Sequence, residues 1–345
     1  ANPDVDFVGL PGVQSGTPHR RGADSIAQTS WSLSQVYPRT SNDHLWFFST
    51  NRSHGSLNVL APTGDEPEAP YTVFSGTFTG SLFGDASWLF WYYPDRGPER
   101  LWRFSSPTPT VREPGQQVLD TYIPATGDFR GDGREDIFWH GPGTTPDWLW
   151  LGRPYDYQLG AAPGTLSFNV TGSYQPVGGD FDGDGKDDLL WYAANGQDSI
   201  WWGSSSFGSV ISQVAAGPGL VPVVGDFDGD GRDDVLWYGS GATADTIWWG
   251  QPVRADLGSP GTTSSRSIVG NYLPSAGDFD DDGRDDVMLY GPGTGADYLW
   301  WGQSVRSSFG SGNQSTMTVS GQYATPVAGD FDGNGTDDLY WFAYG

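Results

Sequence analysis

One acidic string recurs five times between residues 127 and 342, and a repeat of this period constrains the fold more tightly than any single segment. The copies read GDFRGDGREDIFWH from Gly127, GDFDGDGKDDLLWY from Gly179, GDFDGDGRDDVLWY from Gly225, GDFDDDGRDDVMLY from Gly277 and GDFDGNGTDDLYWF from Gly329. Their leading aspartates, Asp128, Asp180, Asp226, Asp278 and Asp330, are spaced by 52, 46, 52 and 52 residues. Two degenerate copies extend the pattern toward the N-terminus. Gly76-Thr77-Phe78 followed by Leu89-Phe90-Trp91-Tyr92 keeps the frame without the acidic loop, and Asn42-Asp43-His44-Leu45-Trp46-Phe47 matches only the strand that follows it. One aromatic position then falls at Trp46, Trp91, Trp139, Trp191, Trp237, Leu289 and Trp341, a mean spacing of about 49 residues, so that 345 residues hold seven units.

Each unit reads as short strands joined by turns. Runs such as Tyr174-Gln175-Pro176-Val177 precede the acidic loop, and Asp188-Leu189-Leu190-Trp191-Tyr192 follows it. Past a turn comes Asp198-Ser199-Ile200-Trp201-Trp202, and then a weaker fourth run such as Thr316-Met317-Thr318-Val319. No window sustains a 3.6-residue apolar period, so no long helix is expected. Four strands per unit of this length make a propeller blade. The expectation is an all-β, seven-bladed β-propeller of four-stranded antiparallel blades, a single domain over 1–345, degenerate over 1–119 and regular over 120–345. The N-terminal strands are expected to complete the blade begun at the C-terminus. Ring closure removes most exposed strand edges, which suits a chain with no cysteine and hence no disulfide.

The chain holds 42 acidic against 17 basic residues, a net charge of −25, which argues against nucleic acid because phosphate binding requires a basic face. Nothing approaches 18 consecutive apolar residues, so no membrane insertion is expected. Disorder is excluded by 17 Trp, 16 Tyr and 18 Phe, a large supply of area to bury.

The acidic string has the form D-x-D-x-D-G-x-x-D. Carboxylates at alternate positions point inward on a tightly curled loop, and glycine permits the bend. An oxygen-only ligand set without His or Cys selects a hard cation, and high, flexible coordination favours calcium over magnesium. The expected ligands are Asp180, Asp182, Asp184 and Asp188 with the main chain of Lys186; Asp226, Asp228, Asp230 and Asp234 with Arg232; and Asp278, Asp280, Asp282 and Asp286 with Arg284. The last copy offers Asp330, Asp332, Asn334, Thr336 and Asp338. The first offers Asp128, Asp132, Arg134 and Asp136, but carries Arg130 at the third position, which cannot ligate and makes that site weaker or empty. About four to five Ca²⁺ ions are expected, with a structural role in pinning each blade's hairpin.

These strings resemble FG-GAP/VCBS repeats, the calcium-loop blades of integrin α-like propellers and of related microbial proteins, and the chain is also similar to Psathyrella velutina-type lectins. The resemblance is specific over about residues 120–345 and weak before it. It implies a calcium-bearing propeller in an extracellular setting that serves as a lectin, as an adhesive module or as an appendage of a polysaccharide-degrading enzyme. Loops of about 10⁻⁴ M affinity fill outside the cell and stay empty in the cytosol, so a secreted or cell-surface location is expected.

Trp102, Trp150, Trp201, Trp248 and Trp300 recur at one blade position. Inter-blade packing accounts for most of them. The sharper reading is that Trp150, Trp201, Trp248 and Trp300 line shallow clefts where the apolar face of a pyranose stacks, with neighbouring Asp and Asn supplying hydrogen bonds. Equivalent weak sites would then add through multivalency. The expected partners are glycans, or alternatively an extracellular protein bound at an adhesive surface. A polysaccharide lyase is a third reading, in which His44 and His54 with Arg52, Arg100 and Arg103 would neutralise a uronate and take its proton. His140 stands where other units carry Tyr192, Tyr238 and Tyr290, which suits a packed or surface imidazole; His19 is the fourth histidine. No nucleophile elbow, zinc-protease or phosphate-loop motif is present, so catalysis is not the expectation.

Overall fold

The computed structural model describes residues 26–27, 43–59, 72–78, 86–94, 99–104, 110–115, 117–153, 158–161, 164–193, 198–204, 207–208, 211–293, 295–310, 312–319, 321, 323 and 325–342. His19 lies outside them. The first strands are β1 (Ile26–Ala27) and the hairpin of β2 (Asp43–Ser49) and β3 (Ser53–Val59). Blade 1 runs β4 (Thr72–Gly76), β5 (Trp88–Tyr92), β6 (Arg100–Arg103) and β7 (Thr110–Arg112), with β1 added at the edge of β4. Blade 2 comprises β8 (Ile123–Gly127), β9 (Asp136–His140), β10 (Asp147–Trp150) and β11 (Thr165–Phe168). Blade 3 follows with β12 (Gln175–Gly179), β13 (Asp188–Tyr192), β14 (Asp198–Trp201) and β15 (Ile211–Val214). Blade 4 is β16 (Val221–Gly225), β17 (Asp234–Tyr238), β18 (Asp245–Trp248) and β19 (Thr263–Arg266). Blade 5 is β20 (Leu273–Gly277), β21 (Asp286–Tyr290), β22 (Asp297–Trp300) and β23 (Gln314–Met317). Blade 6 starts with β24 (Val327–Gly329) and β25 (Asp338–Trp341) and is finished by β2 and β3.

The ring therefore has six blades, not seven. The innermost strands touch in the order β4, β8, β12, β16, β20, β24 and back to β4, which closes the circle. The error in the sequence count lies in Trp46. It pairs with Leu339 on β25, just as Trp150, Trp201, Trp248 and Trp300 pair with Ile137, Leu189, Val235 and Val287. Trp46 is thus a third-strand tryptophan of the same blade as Trp341, and counting both as second-strand positions adds a blade that does not exist. The expected closure by N-terminal strands is present, with His44, Leu45 and Trp46 paired to Trp341, Tyr340 and Leu339.

The second strand of blades 1 to 5 is buried at all five positions, because a neighbouring blade covers each of its faces; this explains continuous runs such as Asp188-Leu189-Leu190-Trp191-Tyr192. Inner strands are glycine-rich for the opposite reason, since backbones crowd toward the axis. A β-carbon at Gly178 would lie 1.9 Å from the carbonyl oxygen of Thr126 in blade 2. Among the described residues no helix is long and apolar enough to cross a membrane. The only helical turns there are 3₁₀ turns at Arg254–Asp256 and Arg306–Ser308, in the connections from third to fourth strand of blades 4 and 5.

Candidate functional site

The acidic loops join the first and second strands of blades 2 to 6, so all open on one face of the ring. Within each loop the leading carboxylate is turned inward by backbone amides. Asp180 accepts from Gly183, Asp184 and Gly185 at 2.9, 3.2 and 3.2 Å, and Asp226 accepts from Gly229, Asp230 and Gly231 at 2.8, 3.1 and 2.8 Å. The bend requires a left-handed residue: Gly183 and Gly229 have φ of 73° and 74°, and in blade 5 Asp281 takes that place at φ 55°, which aspartate tolerates better than most side chains. The last carboxylate ties the loop to the blade. Asp188 accepts from Phe181 at 3.0 Å and from Gly203 at 2.7 Å, and Asp234 and Asp286 repeat both bonds.

Four clusters bring carboxylate oxygens within 4.8 Å of one another: Asp180, Asp182 and Asp188; Asp226, Asp228 and Asp230; Asp278, Asp280 and Asp282; Asp330, Asp332 and Asp338. Asp184, Asp234 and Asp286 lie outside these groups. Asp128, Asp132 and Asp136 form no such group, because Arg130 lies 2.8 Å from Asp132 and 3.2 Å from Asp136 and fills the space with its own charge. The oxygen sets fit a hard divalent cation. Oδ1 of Asp280 is buried without a hydrogen-bond donor, an acceptor left over for a metal.

Burial and crowding raise four of these carboxyls well above 3.8. Asp188 and Asp338 rise to about 9 and Asp226 and Asp278 to about 6, burial being the largest cause, with the neighbouring carboxylates adding to it. A carboxyl whose folded pKa is raised adds stability that is complete below 3.8 and is lost as pH rises through the folded value. Without metal, the unfolding midpoint is therefore expected to fall as pH climbs through about 6 and then about 9. Differential scanning fluorimetry in EDTA across that range checks this; saturating calcium should flatten the slope.

Two sets of acidic residues escaped the sequence reading. The first is the penultimate residue of each string. Asp187, Asp233, Asp285 and Asp337 accept from the amides of Asp128, Asp180, Asp226 and Asp278 in the preceding blade at 2.6, 2.7, 2.8 and 3.1 Å. Their own amides donate back to the same residues' carbonyls at 2.8–3.0 Å, so each doubled Asp-Asp divides its work between a latch and a loop. The second is a buried Asp opening the third strand, in the run D-x-(L/I)-W at Asp43, Asp147, Asp198, Asp245 and Asp297. Asp245 accepts from Gly239 at 2.8 Å and Ile268 at 2.6 Å, and Asp198 and Asp297 do the same for their own blades.

The third-strand tryptophans are mostly core. Trp150, Trp248 and Trp300 are 3%, 6% and 6% exposed, with Gly160, Gly258 and Gly310 against their rings, so they present no face to a sugar; Trp201 keeps a partly exposed ring among Phe138, Phe168 and Phe207. The variable residue of the D-x-(L/I)-W run points outward instead. It is Trp148 in blade 2, 36% exposed, whose Nε1 donates to the Tyr122 hydroxyl at 3.2 Å. In blade 5 it is Tyr298, edge-on to Tyr272 at 6.1 Å, and in blade 6 His44, edge-on to Tyr323 at 5.8 Å. Blades 3 and 4 carry Ser199 and Thr246. These notches lie on the face away from the acidic loops, where each blade's first strand begins. The signal was variation at one place within otherwise regular copies.

The three described histidines do not converge on one site. His140 is buried, with Nδ1 2.7 Å from Asp147 and Nε2 accepting the amide of Tyr174 at 3.4 Å, the amide position that the Tyr238 hydroxyl serves for Tyr272. His44 and His54 pair with Asn58 and Phe48 at opposite ends of the β2–β3 hairpin, and Arg100 pairs with Glu113.

The model of the FG-GAP-like repeat matches residues 128–191, 180–237 and 239–341. This chain belongs to the FG-GAP-like repeat family. A comparison with curated protein sequences found no match. Among solved structures it is similar to a lectin of Agrocybe aegerita described as recognising non-reducing terminal N-acetylglucosamine, at 13% identity and a TM-score of 0.49, over 88% of this chain and 90% of that one. It is also similar to a triple arginine-to-alanine mutant of AofleA from Arthrobotrys oligospora, at 12% identity and a TM-score of 0.45 over 77% of each chain. A Tc holotoxin pore of Photorhabdus luminescens aligns at 14% identity and a TM-score of 0.45, over 87% of this chain and 16% of that one. At such identities and scores the function has to be read from this chain's own residues.

Proposed function

We propose that this FG-GAP-like propeller is a secreted or cell-surface carbohydrate-binding protein, with calcium in the acidic loops as a brace and glycans held on the opposite face. The observation that carries the reading is the set of aromatic notches in blades 2, 5 and 6. Trp148 offers a ring held in orientation by Tyr122, whose own neighbours include the exposed Asp120, an arrangement that suits the C–H face and hydroxyls of a pyranose. Tyr272 with Tyr298 and Tyr323 with His44 supply related pairs, so weak single sites would gain by acting together on a glycan-coated surface.

A glycan array read in calcium and again after EDTA tests the reading. Selective binding is expected, and Trp148→Ala is expected to weaken it by at least about tenfold while shifting stability by no more than about 1 kcal/mol, since the ring is partly exposed. A blank array from folded protein would reject carbohydrate binding and turn attention to a protein ligand.

A further inference from the structure

Three acidic loops are each held by an arginine from the blade that follows. Arg254, in the 3₁₀ turn after β18, sets Nε against Asp182 and Nη2 3.2 Å from Asp184 in the blade 3 loop. Arg306, in the turn after β22, sets Nε against Asp228 and Nη2 2.9 Å from Asp230 in the blade 4 loop. Arg52, in the β2–β3 turn, sets Nε 2.5 Å from Asp280 and Nη2 3.8 Å from Asp282 in the blade 5 loop. Each guanidinium also lies over an indole of the loop's own blade: Trp202 at 5.1 Å, Trp249 at 5.0 Å and Trp301 at 4.4 Å. Those indoles are buried and fixed, their Nε1 donating to Ser212, Ser264 and Ser315 at 2.8, 2.8 and 2.9 Å. The same device thus stands at three successive junctions, built once from a hairpin at the N-terminal end of the chain and twice from 3₁₀ turns.

We propose that Arg52, Arg254 and Arg306 set the calcium affinity of these loops by competing with the metal for its outer carboxylates. The inference rests on the calcium reading above. Asp182, Asp228, Asp230, Asp280 and Asp282 belong both to the arginine contacts and to the metal-sized clusters. A guanidinium and a divalent ion sharing these oxygens repel across a few ångströms, so each lowers the other's hold. By linkage, calcium entering a loop loosens the arginine of the next blade as much as that arginine opposes calcium. The junctions between blades 3 and 4, 4 and 5, and 5 and 6 are closed by arginine when calcium is scarce and by metal when it is plentiful. The blade 2 loop stands outside this exchange, because Arg130 supplies its cation from within.

Calcium titration of the intact protein by calorimetry, with terbium luminescence sensitised by Trp202, Trp249 and Trp301 as a second readout, tests the proposal on Arg254→Gln, Arg306→Gln and Arg52→Gln. Each variant is expected to bind calcium about tenfold more tightly at one loop, an ordinary size for such a coupling. Arg254→Lys, which keeps the charge, should bind as weakly as the wild type. In EDTA the glutamine variants should unfold at lower temperature than the wild type, and in saturating calcium that gap should close. Unchanged or weaker calcium binding in the glutamine variants would overturn the proposal and make the arginines supports of the metal site. If the wild type takes up no calcium at all, the calcium reading fails first and the competition with it.

Discussion

Removing calcium with EDTA is expected to lower the unfolding midpoint of the intact protein by roughly 10 °C. Each loop of about 10⁻⁴ M affinity gains about 1.4 kcal/mol at roughly 1 mM free calcium. Four carboxylate clusters so occupied would add about 6 kcal/mol, and a chain of this size moves by roughly 1–2 °C per kcal/mol. The expected gain has a physical source in the loops themselves, where carboxylates, some of them buried, are held within 4.8 Å of one another. Scanning calorimetry in calcium, in EDTA and after restoring calcium measures it, with magnesium expected to recover less because it demands a tighter octahedral shell. A midpoint indifferent to EDTA would remove the metal from any account of this fold.

The largest effect of a single substitution outside the loops is expected at the third-strand aspartates. Asp245→Ala should destabilise the protein by about 4 kcal/mol, because two buried backbone donors, those of Gly239 and Ile268, lose the Asp245 oxygens to which they donate at 2.8 and 2.6 Å. Asp184→Ala should cost no more than about 1 kcal/mol in EDTA, since its carboxylate is partly exposed and its ion pairs with Lys186 and Arg254 lie near solvent. Urea titrations of both variants in EDTA give the comparison. Equal losses would mean that the Asp245 clamp contributes nothing special.

Much of the fold was legible because its unit is local. The acidic string, the continuous apolar second strand and the D-x-(L/I)-W third strand each lie within one unit, and the turn residues between them are short-range signals. The carboxylate clusters were legible for the same reason, as alternate carboxylates on a curled loop converge without help from elsewhere. Which aromatic rings reach the surface was not. Trp150, Trp248 and Trp300 and the outward Trp148 look alike as sequence, and only the cover provided by glycines such as Gly160 and by a neighbouring blade separates a core ring from a surface one.

What the sequence by itself determined is the blade: four antiparallel strands, an acidic loop at the first turn and a buried aromatic at a fixed place. Tertiary structure alone decided that six such blades close the ring, because Trp46 joins Leu339 across nearly the whole chain and so belongs to the last blade. It also decided that the doubled aspartates are shared between blades and that arginines reach across three junctions. Those assignments depend on the angle between neighbouring sheets, which is fixed by side chains packing between blades and leaves no periodic mark within any one of them.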